Sequence, residues 1–231
     1  MADTAPLTPD DLERIRAIPT PALSNAIELF NVRPRNAGFM NTSVRAMFPD
    51  LPPVIGYATT AVTRADQPPP AENSAEYISR FDYWDHILSI PAPRIAVVED
   101  EDLPSGVGAF FGEVNSNTHK ALGCVAAVTN GAVRDLAEMH DLGFAVFANA
   151  ACVSHAYIHL TRFGTSVRVG GLVVRPGDLL HADMHGVLLI PQEIAPQLPD
   201  AVARVEKRER EIIDYCKSPD FTVDGLKALM R

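Results

Sequence analysis

The sequence predicts an α/β domain on two grounds. Through the middle of the chain, apolar β-branched runs alternate with segments of helical spacing, and toward the end apolar runs follow one another across turns. No internal repeat or linker-like stretch interrupts the chain, so residues 1–231 read as one domain. With 47% hydrophobic residues, the chain can bury a sizeable core.

Each element has its local signal. In TPDDLERIRAI, Thr8 is cap-like, Pro9 suits the first turn and acidic residues follow, which predicts a short helix. TPALSNAIELF reads the same way from Thr20. VIGYATTAVT (54–63) alternates and is β-branched, so it is a predicted strand. RADQPPPAENSA is a loop, because three consecutive prolines exclude both helix and central strand. Residues 75–89 set Tyr77, Ile78, Phe81, Trp84 and Ile87 at near-helical spacing, and RIAVVED is the next strand.

The glycine-rich turn PSGVGAFFGEV opens a helix through NSNTHKALG, and CVAAVTNG is a strand. A helix of about two turns begins at Arg134 and stops at Gly143, before the strand FAVFAN. ACVSHAYIHLTRFGTS reads as a loop. VRVGGLVVRPGDLLHADMHGVLLIP reads as three short strands divided at Pro176-Gly177 and His185-Gly186. PQEIAPQLPDAVARVEKREREIIDYC is a helix with charges on most faces.

Composition excludes several classes. A net charge of -9 leaves no basic field for a nucleic-acid backbone. Cys124, Cys152 and Cys216 stand far apart without CxxC spacing, as reduced thiols of a cytoplasmic protein do, and a structural zinc site is not expected. The N-terminus lacks an apolar leader, and no apolar run approaches the roughly 18–20 residues of a membrane span.

The candidate chemistry is concentrated in few places. Gly106, Gly108 and Gly112 let backbone N–H groups converge at a helix start, as a bare turn or as a cradle for a small anion. Their spacing is not GxGxxG, which argues against a dinucleotide fold. Arg134 and Asp135 stand where an apolar run gives way to a helix. Asp135 could be a cap beside a solvated Arg134. Alternatively, Arg134 clamps a substrate oxygen while Asp135 anchors a hydrated divalent cation, for which Mg²⁺ is suited. Glu113 is a general acid/base or a solvated first-turn glutamate.

His155 and His159, and His181 and His185, are each four apart, but HExxH is absent and satisfied histidines are the default. GxSxG is also absent, and Cys124 and Cys152 have no activating context.

Taken in order, GYATTAVT, GVGAFFGEV, GAVRDLAEM, LGFAVFA and VRVGGLVVRPGDLLHADMHGVLLIP resemble the RraA-like family over roughly residues 20–212. That family includes 4-hydroxy-4-methyl-2-oxoglutarate / 4-carboxy-4-hydroxy-2-oxoadipate aldolases and the ribonuclease regulator RraA. The resemblance implies a swivelling β/β/α fold, assembly as a homotrimer or homohexamer, and class II aldolase chemistry with Mg²⁺ or Mn²⁺. Lys120, Lys207, Lys217 and Lys227 sit in polar contexts, which agrees with a reaction that uses no Schiff base.

Carried over by resemblance, the turn Gly106, Val107, Gly108, Ala109 supplies amides to a pyruvate carboxylate. Arg134 binds the C2 oxygen, and Asp135 holds the metal. Glu206 or Glu209 approaches that metal from a neighbouring subunit. The substrate is a small oxo acid, and the same enolate chemistry decarboxylates oxaloacetate. Two positions depart from the family pattern: His185 replaces the second acid of ADxDGV, and Asn25 stands where aspartate is common. His155, His159 and Arg162 are candidate contacts for the distal half of the substrate. The second function class is a regulator that binds another protein and needs no metal.

Overall fold

The computed structural model describes residues 7–230, so the expectation of no leader in the first six residues and the ends of the 1–231 domain lie outside the described residues. Helix α1 (Pro9–Arg16) starts with a reciprocal cap, in which Asp11 N–H donates to the Thr8 hydroxyl and Thr8 N–H to the Asp11 carboxylate. In α2 (Thr20–Glu28), Thr20 is the first helical residue and not the cap. Its N–H donates to Asp183 at 2.8 Å and its hydroxyl pairs with His181, so a tertiary partner has taken the capping oxygen.

Strand β1 (Arg45–Ala46) precedes the long β2 (Val54–Arg64). The predicted alternation in β2 gives way to almost continuous burial, because the strand is central and covered on both faces. Helix α3 (Arg80–Ser89) starts five residues later than predicted. Ser79 is extended and its hydroxyl accepts from Phe81 N–H, so Tyr77 and Ile78 stay in the preceding loop.

Next come β3 (Arg94–Asp100) and β4 (Ala109–Phe111), an unpredicted strand between the glycine-rich turn and α4 (Glu113–Ala121). Then follow β5 (Cys124–Thr129), β6 (Ala132–Val133), α5 (Leu136–Asp141), β7 (Ala145–Ala148) and β8 (Ala150–Ala151). The segment read as a loop after β7 contains both β8 and β9 (His159–Phe163).

The predicted three strands near the end are four: β10 (Val167–Val169), β11 (Leu172–Val174), β12 (Leu179–Asp183) and β13 (Gly186–Ile190). The extra turn lies at Gly170 and Gly171, both left-handed, a conformation that costs glycine little. The chain ends in α6 (Leu198–Lys217) and α7 (Val223–Leu229).

The main sheet runs β1-β7-β5-β3-β2-β12-β13, with β9 also bonded to β2. β2, β3, β5 and β7 are parallel, and the other strands join antiparallel. Alternation along these strands feeds two cores. Ala58, Val62, Ile95, Val97 and Val128 face the β10–β11 hairpin, while Ala61, Ala96, Val98 and Val146 face Tyr83, Ile87, Phe111 and Met139. A third cluster seats α1, α2 and α6 on β12 and β13 through Ile15, Leu23, Leu188 and Leu198. A side chain such as Ile87, wholly buried, contributes about 1.5–3 kcal/mol through transfer from water.

A second, small sheet positions the site. β4, β6 and β8 are all parallel, in the order β4-β6-β8. No helix among the described residues is long and apolar enough to cross a membrane.

Candidate functional site

The C-terminal ends of β4, β6 and β8 release Gly112 and Glu113, Arg134 and Asp135, and the loop carrying His155, in that order. Side chains that follow adjacent parallel strands necessarily emerge on the same edge of the sheet, the usual place for a ligand in such folds. Gly112, Arg134, Asp135 and His155 line a cavity of about 310 Å³ together with Arg80, Phe110, Val114, Asn115 and Ile158, and Glu113 stands next to it in sequence between Gly112 and Val114.

Asp135 is the most constrained residue there. It has left-handed φ 53° and ψ 49°, a conformation disfavoured for a side chain with a Cβ. Its carboxylate does not cap its own helix α5. Instead Oδ2 accepts from Glu113 N–H, the first amide of α4, at 3.0 Å, and lies 3.5 Å from Arg134 Nε. The cap reading of Asp135 therefore fails for α5, and the carboxylate joins two helix starts. Gly112 makes this approach feasible, since a Cβ at that position would stand 2.5 Å from Asp135 Oδ2 and 3.0 Å from Arg134 Cγ.

Asp135 Oδ1 has no hydrogen-bond partner among the described residues, and about a third of the side chain is exposed. Such a carboxylate fits Mg²⁺, which keeps several waters and needs one or two protein carboxylates. Among the described residues, no three His, Cys, Asp or Glu side chains of one chain gather as a metal cage.

The glycine-rich turn differs from its predicted role as a row of amide donors. Gly106 N–H donates to Asp100 Oδ2 at 2.6 Å and Ala109 N–H to Ser154 O at 3.0 Å, while Ala109 is the residue of the turn that reaches the cavity wall. Val107 and Gly108 N–H donate to no acceptor among the described residues, but neither residue lines the cavity. Gly108 serves packing, because a Cβ there would meet His155 O at 2.5 Å. Val114 and Asn115, in the first turn of α4, line the cavity with N–H groups that donate to no acceptor among the described residues, and the helix dipole there favours an anion.

Other predicted residues fall in different places. Glu113 is exposed in the first turn of α4 beside Gly112. His155 lines the cavity, His159 lines an adjoining one, and Arg162 is held by Glu101 at 3.0 Å. Glu206 and Glu209 are exposed on α6, which packs on α1 and α2 and contributes nothing to the cavity within one chain. Asn25 Nδ2 reaches Glu209 at 3.4 Å.

His185 belongs to a separate cluster in which Asp183 Oδ1 accepts from its N–H and pairs with its Nδ1. His181 in that cluster is buried, and desolvation holds it below its ordinary pKa. Among the described residues, neither histidine pair gathers with a third His, Cys, Asp or Glu side chain.

Three contributors had no signal in the sequence. Arg80 lines the cavity and makes no ion pair or hydrogen bond through its side chain among the described residues. Asp100, buried, anchors the glycine turn by accepting from Gly106 and Asp102 N–H. Asn115 donates to Phe110 O and fixes the entry to α4. Only the chance spacing of Asp100 six residues before Gly106 could have hinted at the second.

Comparison with known proteins follows the same lines. Residues 13–189 match the family model RraA-like, described as Aldolase/RraA. An uncharacterized protein of Methanocaldococcus jannaschii is 30% identical over 105 residues, 45% of this chain and 50% of that protein. A protein of Halalkalibacterium halodurans named "Putative 4-hydroxy-4-methyl-2-oxoglutarate aldolase" is 29% identical over 111 residues, 46% of this chain and 53% of that one. The chain thus spans about half the length of these curated relatives.

Among solved structures, an uncharacterized Pseudomonas syringae protein superposes with a TM-score of 0.73 at 20% identity, covering 97% of this chain and 95% of the other. RraAS2 of Streptomyces coelicolor, titled an unusual member of the RNase ES inhibitor RraA family, gives 0.67 at 19%, covering 89% and 97%. At such identities these likenesses establish the fold, and the family model, which spans most of the chain, establishes membership: the chain belongs to the RraA-like family.

Proposed function

We propose that this protein is a divalent-metal-dependent lyase that cleaves a 4-hydroxy-2-oxo acid, such as 4-hydroxy-4-methyl-2-oxoglutarate, to pyruvate, and that also decarboxylates oxaloacetate. One observation carries the proposal. Asp135 is held left-handed, with one carboxylate oxygen on the first amide of α4 and the other without a protein partner, next to Arg134 on a cavity wall. A docking surface has no use for such strain, whereas a site that must fix a cation beside a guanidinium does.

In the reaction, the C4 hydroxyl loses its proton, the C3–C4 bond breaks and its electrons move onto the C2 oxygen; C3 then takes up a proton. Arg134 meets the oxygen on which negative charge grows. Val114 and Asn115 N–H, at the positive end of α4, receive the substrate carboxylate. Glu113, exposed beside Gly112, takes the hydroxyl proton in this reading. Bound Mg²⁺ or Mn²⁺ would supply Lewis-acid polarisation of the 2-oxo group, held by Asp135 and by Glu206 or Glu209 of a second copy in a homotrimer or homohexamer.

The test is pyruvate release from oxaloacetate and from 4-hydroxy-4-methyl-2-oxoglutarate, coupled to lactate dehydrogenase, with Mg²⁺, Mn²⁺ or EDTA. Metal-dependent pyruvate supports the lyase. A folded protein that releases none returns the chain to the regulator class of its family.

A further inference from the structure

Beside the candidate site lies a second cavity of about 280 Å³, and the two share Arg80, Phe110, Asn115 and Ile158 as walls. A cavity of about 150 Å³ lined by apolar side chains already accepts a benzene ring. Here the apolar walls are Tyr77, Ile78, Trp84, Phe110, Ile158 and Leu160. The loop after β2 supplies Pro69, Pro70 and Glu72, and α3 supplies Trp84.

The buried polar groups of this cavity are engaged within the fold, and His159, which also lines it, keeps Nδ1 on Tyr157 O at 2.8 Å. His119 is buried with both ring nitrogens engaged, one with the Tyr83 hydroxyl at 3.2 Å and the other with Asn115 O at 2.6 Å. Burial lowers its pKa to about 4, so it is neutral at physiological pH. The Asn115 amide is spent on Phe110 O. Glu72, which is exposed, adds a negative charge to the lining, and a second anion beside it is disfavoured. Arg80 stands at the junction with no ion-pair partner among the described residues, so its guanidinium is available to lie over a ring.

We infer that this second cavity receives the C4 substituent of the substrate, and that this substituent is a neutral aryl group and not a carboxylate. The inference rests on the pyruvate-lyase reading of the adjoining site. The substrate class is then a 4-aryl-4-hydroxy-2-oxo acid, split into an aryl aldehyde and pyruvate. The C4 hydroxyl proton and the C3–C4 electron pair move as in the parent reaction, so no oxidant or reductant is required.

Trp84 is the sole tryptophan of the chain and lines this cavity, so its fluorescence reports occupancy without turnover. The experiment titrates the full-length protein with 2-oxo-4-phenylbutanoate and with 2-oxoglutarate. In parallel it compares kcat/KM for 4-hydroxy-2-oxo-4-phenylbutanoate and 4-hydroxy-4-methyl-2-oxoglutarate, with oxaloacetate as the substrate that lacks a distal group. The aryl acid is expected to change Trp84 emission at concentrations about 10-fold or more below 2-oxoglutarate, and the aryl aldol to be preferred by a similar factor.

Tyr77→Ala, outside any helix, should raise KM for the aryl aldol about 10-fold and leave oxaloacetate turnover unchanged. Glu72→Lys, exposed, should raise kcat/KM for the dicarboxylic aldol. Equal or better use of the dicarboxylic aldol, or no Trp84 response to the aryl acid, overturns the inference while oxaloacetate decarboxylation keeps the lyase reading alive. An aryl-selective Trp84 response in a protein inert toward all three substrates separates the failures: the cavity assignment stands and the lyase reading falls.

Discussion

Asp135 and its neighbours are single groups whose removal should be sharply felt. Asp135→Ala should abolish metal-dependent pyruvate release. Arg134→Ala should lower turnover by about 10²-fold or more, the scale of losing one oxyanion donor, with the thermal midpoint near wild type because Arg134 is part-exposed. Full activity in either variant would remove these residues from the chemistry. Gly112→Ala is a different kind of probe. Its φ of -156° suits any residue, so the cost is steric, a methyl pressed on Asp135 Oδ2 and Arg134 Cγ. The expected loss is about 1–3 kcal/mol in urea unfolding, with turnover falling as Asp135 is displaced. Wild-type behaviour would mean that the turn is looser than its contacts show.

At the scale of elements, α4 joins the chemistry to stability. It offers Val114 and Asn115 amides to the cavity and buries His119 against Tyr83 and Phe111. The folded-state pKa of His119, about 4, lies below its ordinary 6.5. The unfolded chain therefore binds the proton first, and stability present above about pH 6.5 declines as pH falls toward 4. Buried His181, also lowered by desolvation, acts in the same direction. His140, raised by its hydrogen bond to Asp50, acts oppositely, but it is a solvent-screened surface pair. Thermal midpoints measured from pH 7.5 to 4 should fall, and His119→Gln should flatten part of that slope. An unchanged slope would show that His119 is not the group responsible.

Considered as a whole molecule, one chain exposes apolar side chains beside the candidate site. Leu103 and Val153 are each 97% exposed, and Val107, Val114 and Tyr157 are exposed in the same two segments or on the adjoining first turn of α4. The segments are tied together by Ala109 N–H donating to Ser154 O. Large apolar side chains left exposed on neighbouring segments are what an association surface would cover. The protein should sediment as a trimer or hexamer, and Val153→Glu should shift it toward monomer and cut turnover about 10-fold or more, since residues from a second copy would be withdrawn. A monomeric, fully active wild type would contradict both the assembly and the assignment of Glu206 or Glu209.

The sequence by itself determined the α/β class, most helices and strands, the adjacency of Arg134 and Asp135 and, through GAVRD with RPGDLLHAD, the family. Local preferences suffice for these, since caps, β-branched runs and prolines act over a few residues. It did not reveal β4, β6 and β8, because two- and three-residue strands have no periodicity and exist only through pairing. Tertiary structure alone decided which amides remain unpaired, since Gly106 is claimed by Asp100 and Ala109 by Ser154, leaving the start of α4 to serve the cavity. It also decided that Asp135, 22 residues from Glu113, binds that residue's amide, and that Arg80 and an aromatic chamber stand beside them. Contacts across such separations follow from strand pairing and packing, and a reading of neighbouring residues has no access to either.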